Sequence, residues 1–155
     1  MVTAEMHALL GRLLDEAHML APNDLVPLLQ DELQALAFTD VVVYVVDHSQ
    51  RRLVPLPPTE AKTIAIDATL GGRVYQTTAS ALAGTDPVRL WLLIRDGVDR
   101  LGVLMLERFA FDDELVAACT QLAALVAQLL LSKNQLTDEF VVARRSQEMA
   151  LPAIM

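Results

Sequence analysis

Val88-Arg89-Leu90-Trp91-Leu92-Leu93-Ile94-Arg95, then Asp96-Gly97-Val98-Asp99-Arg100, then Leu101-Gly102-Val103-Leu104-Met105-Leu106-Glu107 is the stretch that settles the fold class. Two apolar runs of strand length flank a connection in which Asp96-Gly97 offers the positive φ that a hairpin turn wants. Upstream, Val41-Val42-Val43-Tyr44-Val45-Val46 is a continuous β-branched and aromatic run ended by Asp47-His48-Ser49-Gln50, which predicts a buried strand and a turn. Arg51 to Leu56 reads as its hairpin partner, stopped by Pro55, Pro57 and Pro58. Thr63-Ile64-Ala65-Ile66 is a weaker strand and Ala79 to Ala83 a further short one. Between them Gly71-Gly72-Arg73-Val74-Tyr75-Gln76 reads as a short helix entered through a glycine turn. Six strands with interspersed helices predict an α+β domain.

Helices frame this core. From Ala4 to Leu20 the apolar residues Met6, Leu9, Leu10, Leu13, Leu14 and Ala17 fall on one face, with Glu5, Arg12, Asp15 and Glu16 off it. A second helix carries Leu25, Leu28, Leu29, Leu33 and Leu36, with Asn23-Asp24 as the expected cap and Pro27 tolerated near its first turn. The chain closes with a helix expected from Asp112 to about Ala150, uninterrupted by Gly; no Pro falls in it either. Leu115, Cys119, Leu122, Val126, Leu129, Lys133, Leu136, Phe140, Ala143, Gln147 and Ala150 alternate by four and three, the pattern of a coiled-coil seam broken at Lys133 and Gln147. At 1.5 Å per residue such a helix reaches roughly 55 Å, so its second half is expected to leave the globule and take a partner helix. Leu115, Leu122, Val126, Leu129, Leu136 and Phe140 are the predicted dimerisation positions.

Composition narrows the function classes. The 155 residues are 54% hydrophobic and 21% charged, which excludes a disordered chain, and the net charge of −8 argues against nucleic acid as a partner. No stretch approaches the uninterrupted apolar length of a membrane span, since Gln128 cuts Leu122 to Leu131, and the N-terminus has no basic residue ahead of an apolar run. The expected location is the cytoplasm. One cysteine, Cys119, supplies neither an intrachain disulfide nor a zinc or iron–sulfur spacing. His7, His18 and His48 show no shared ligation pattern, and no nucleophile with its base can be assembled, so neither a catalytic site nor a metal or other cofactor is expected. Asp112-Asp113-Glu114 reads as a helix N-terminus, and Gly71-Gly72 lacks the spacing of a phosphate loop. Tyr44, Tyr75 and Trp91 are candidates to line a small apolar pocket, with core packing as the alternative.

The order of these elements, from the Val41 to Asp47 strand through Arg51 to Pro57, Gly71 to Thr77, Leu90 to Gly97 and Arg100 to Glu107, resembles a GAF domain over residues 22–131. More narrowly, Asp47 with Leu53 to Pro57, Gly97 to Leu106 and Leu122 to Ala127 resemble the GAF modules preceding bacterial stage-II-sporulation-E-like serine/threonine phosphatases. The tail from Ser132-Lys133-Asn134-Gln135 through Ala143-Arg144-Arg145 to Met149-Ala150-Leu151-Pro152 is similar too. The resemblance implies a six-stranded antiparallel sheet with helices on both faces and a long C-terminal helix. It implies a GAF-like sensory domain over residues 1–131 and a signalling helix or linker over 132–155, leading to a phosphatase domain in the same polypeptide. It departs from the family in placing Leu93 where a proline is frequent, and it lacks the cysteines of GAF-type bilin proteins and methionine sulfoxide reductases. The implied function is non-catalytic control of a phosphatase in sigma-factor regulation by a homodimer. The alternative is a sensor of a small apolar ligand, and PAS-like or profilin-like sheets remain structural alternatives.

Overall fold

The computed structural model describes residues 2–16, 24–56 and 62–132. They form α1 (Val2–Glu16), α2 (Leu25–Gln34), β1 (Phe38–Val46), β2 (Arg52–Leu56), β3 (Ile64–Ala65), α3 (Leu70–Thr77), β4 (Ala81–Ala83), β5 (Val88–Asp96), β6 (Asp99–Arg108) and α4 (Asp113–Ser132). The six strands make one antiparallel sheet in the order β3-β2-β1-β6-β5-β4. The β5–β6 hairpin is longer than the sequence suggested: Asp96 pairs with Asp99, so Gly97 and Val98 alone make the turn, with Gly97 at φ +60°.

Side chains alternate across the pleat, and away from the register shifts after Phe38 and after Ile94 the three longest strands divide between two cores. Val41, Val43, Leu90, Leu92, Ile94, Leu104 and Leu106 face the layer made by α1, α2 and α4. Val42, Tyr44, Val46, Val103 and Met105 face the opposite side, where Val74 and Tyr75 of α3 close over them. Helices therefore cover both faces, as expected, in a three-to-one division.

Pro55 does not stop β2 but sits inside it, opposite Tyr44. Val41 turns its backbone groups away from β6, toward the Asp40 carboxylate and the Gln30 amide; by the two-residue period Val43 and Val45 do the same toward β2. Tyr44 then bonds on its β6 side, and the N–H that Pro55 lacks would point outward, past the two-residue β3. Pro57 and Pro58, also expected to stop β2, lie outside the described residues, and the strand ends at Leu56. Beyond it, Asp40 Oδ1 accepts from Val41 N at 2.9 Å and Gln30 Nε2 donates to Val41 O at 3.4 Å, so side chains hold the edge that β2 leaves. The sheet's outermost strands, β3 and β4, are two and three residues long.

Three helix expectations need correction. Asp24 precedes α2 but makes no side-chain capping bond, and Asn23 lies outside the described residues, whereas Asp112 Oδ1 does accept from Leu115 N at 2.7 Å. Leu115, Leu122, Val126 and Leu129 are buried within their own chain, against Met6, Leu9 and Leu13 of α1 and against β5, and so are not free to form a seam with a second copy. A four-three spacing marks a buried helix face, and the helix's own domain can be what buries it. Lys133, Leu136, Phe140, Gln147 and Ala150 lie outside the described residues. Finally, α4 is long and apolar enough to cross a membrane by length and composition, contrary to the sequence reading, yet half of it is buried in the domain core.

Candidate functional site

Tyr44 on β1, Trp91 on β5 and Tyr75 on α3, the three candidates for a ligand pocket, do converge on the α3 side of the sheet. The Tyr44 and Trp91 rings stack with centroids 5.9 Å apart and planes at 26°, across the Val103 and Met105 side chains of β6. Tyr75 is buried beside them and its hydroxyl donates to the Arg100 carbonyl at 3.5 Å. Burial raises the pKa of both phenols, so both stay neutral at physiological pH.

The helix above them reaches the sheet because its first turn is Gly71-Gly72. A Cβ on Gly71 would come within 2.8 Å of Trp91 Cζ3 and Ile64 Cδ1, and one on Gly72 within 1.8 Å of the Ile66 carbonyl oxygen. Thr69 caps the turn by accepting from Gly72 N at 3.0 Å and donates to the Ala65 carbonyl. The glycines thus serve close approach of helix to strand, and the aromatic rings fill the space below. The cleft beside this helix, about 480 Å³, is lined by Ile66, Asp67, Thr69, Arg73 and Gln76 instead.

Of the remaining candidates for chemistry, Asp47 has structural partners and Cys119 is packed into the core. Asp47 accepts from the backbone N–H groups of Arg51 and Arg52 and from Ser49 Oγ, the signature of a turn. Desolvation would raise its pKa, but those bonds and the Arg52 charge outweigh it and lower the value. Cys119 is buried and its pKa is pushed up to about 12, chiefly by desolvation. Its thiol should therefore resist a disulfide reagent in the native chain and react stoichiometrically once denaturant is added; rapid native labelling would show that α4 leaves the core. His7 is exposed on α1 and His18 lies outside the described residues. Among the described residues no group of three or more His, Cys, Asp or Glu could hold a metal ion.

Sequence reading passed over Arg108, the charged residue buried at the end of β6. Its Nε donates to the Leu36 carbonyl at 3.2 Å and its Nη1 to the Ala110 carbonyl at 2.7 Å. One side chain thereby ties the end of α2 to the entry of α4. Its partner Leu36, in the turn after α2, lies 72 positions away, and the only local signal is an arginine where a strand gives way to a helix.

No protein-family model matches the sequence, nor does any curated protein. Solved structures do. The GAF domain of a phosphoenolpyruvate-protein phosphotransferase from Coxiella burnetii superposes with a TM-score of 0.73 at 15% identity, covering 86% of this chain and 96% of that one. The corresponding Acinetobacter domain gives 0.70 at 12% identity, over 84% and 95% of the two chains. The GAF domain of a two-component sensor histidine kinase from Bacillus halodurans gives 0.57 at 16% identity, over 72% and 95%. Identities this low carry the fold.

Proposed function

On the premise that this chain has the GAF fold, we propose that it is a regulatory domain without catalytic groups of its own. It acts in the cytoplasm as a homodimer and controls a stage-II-sporulation-E-like serine/threonine phosphatase domain through α4. The observation that carries this reading is the seating of α4. Nine of its residues are buried, in a cluster with Met6, Leu9 and Leu13 of α1 and the β5 side chains Leu90, Leu92 and Ile94, so any change in sheet or α1 packing changes how α4 leaves the domain. Dimer contacts then come from positions after α4, where the heptad spacing continues through Leu136 and Phe140 and is weakened by Lys133 and Gln147. The phosphatase would remove phosphate from a phosphoserine or phosphothreonine of an anti-sigma-factor antagonist, as the family resemblance implies. The alternative of an apolar ligand between sheet and α3 is disfavoured by the mutual packing of Tyr44, Trp91 and Tyr75.

Two measurements test this. Native mass spectrometry of the purified chain should give a dimer without added mass, and Lys133→Leu should tighten it about tenfold by restoring an apolar seam position. An unchanged dissociation constant overturns the seam, and a reproducible bound mass of small-molecule size restores the ligand sensor. Joined to the phosphatase domain, Lys133→Leu should also change the dephosphorylation rate; an unaltered rate in a tighter dimer overturns control through the helix.

A further inference from the structure

Three of the chain's four phenylalanines, in a sequence only 5% aromatic, gather where β6 gives way to α4. Phe38 meets Phe111 edge to face at 6.0 Å, and the Arg108 guanidinium lies 5.8 Å from the Phe38 centroid and 4.3 Å from that of Phe109. Phe109 stands outermost of the group and is 62% exposed, although the domain has a full core to receive it. Aromatic residues backed by arginine are the composition of interface anchors.

Phe109 also forms a wall of two clefts. One, of about 630 Å³, runs beside Gln30, Gln34, Thr39 and Asp40; the other, of about 440 Å³, runs beside Thr3, Phe111, Asp112 and Glu114. Among the described residues, the exposed ionic groups lining them, Asp40, Asp112 and Glu114, are all acidic. The one cation among the described lining residues, Arg108, is buried and already donates to two backbone carbonyls. An apolar ridge inside an acidic rim, on a chain of net charge −8, selects its partner by sign. Nucleic acid and anionic membranes are repelled, an acidic peptide meets like charge, and a cationic side chain finds both a carboxylate and an aromatic face.

We propose that Phe109 and its two flanking clefts form a docking surface for a basic amphipathic segment of a partner protein. Its apolar side chains cover Phe109, and its Lys or Arg residues reach Asp40, Asp112 and Glu114. This surface is separate from the α3 side of the sheet and does not depend on which domain α4 controls.

Fluorescence anisotropy with a labelled Leu/Lys peptide of amphipathic helical spacing tests the proposal, with a Leu/Glu peptide of the same pattern as counter-probe. The full chain should bind the Leu/Lys peptide saturably and the Leu/Glu peptide not at all. Phe109→Ser should weaken binding about tenfold. Asp112→Asn with Glu114→Gln should weaken it about fivefold, while Asp15→Asn with Glu16→Gln, the same charge change on the exposed end of α1, should leave it within about twofold. Equal losses in the two double variants would reduce the effect to net charge and overturn the site. So would binding indifferent to Phe109, equal affinity for the Leu/Glu peptide, or no binding of the Leu/Lys peptide.

Discussion

A Gly72→Ala chain should be less stable than the parent by about 3 kcal/mol, at the upper end of what overpacking costs. The added Cβ falls 1.8 Å from the Ile66 carbonyl oxygen and 2.3 Å from its carbon, both backbone atoms that no rotamer change can move. The helix α3 must then withdraw from the sheet, taking with it the Val74 and Tyr75 side chains that close the second core. Urea titration gives the free energy. Trp91, the only tryptophan in the chain, gives the local readout, since its emission should move to longer wavelength as α3 lifts away. Gly71→Ala should cost less, about 1 kcal/mol, because its new methyl meets the ends of the Trp91 and Ile64 side chains, which can yield. Equal, negligible effects at the two positions would mean that α3 does not approach the sheet as closely as described.

Arg108→Met should cost about as much, roughly 3 kcal/mol, by a different route. Methionine keeps an apolar body of similar length in the site, so a cavity is not the cause. What is lost are charge-assisted bonds to the Leu36 and Ala110 carbonyls and the contact with the Phe38 and Phe109 rings. Arg108→Lys should recover only part, because an ammonium lacks the planar fork that reaches both carbonyls while stacking on a ring. Hydrogen exchange should quicken at the end of α2 and in the first turn of α4 together. Quickening at only one of them would show that Arg108 does not couple the two elements.

The sheet was legible because its evidence is local. Runs such as Val41 to Val46 and Leu101 to Glu107 combine β-branched or apolar side chains with turn residues at their ends, and neither depends on distant contacts. Which way Pro55 points was not legible, because that requires knowing that Val41, Val43 and Val45 share one hydrogen-bonding side of β1. The convergence of Tyr44, Tyr75 and Trp91 followed from the element order, whereas the closeness of their packing depends on two glycines whose role appears only against Ile66 and Trp91. Leu115, Leu122, Val126 and Leu129 were misassigned because apolar spacing along a helix states that a face is buried, not which chain buries it. Arg108 was missed because its partners come from the turn after α2, from β1 and from the entry to α4.

The short outer strands carry a consequence for the life of the protein in solution. A sheet grows by offering a long row of unpaired backbone groups to another chain, and β3 and β4 offer only two and three residues. Among the described residues the longer uncovered stretches are the start of β1, which Asp40 and Gln30 hold at Val41, and Leu92–Asp96 of β5, which runs past its pairing with β4. β3, β4 and the start of β1 thus give another chain little to template on, and a charge or proline added at those three places should bring little further gain in resistance to aggregation.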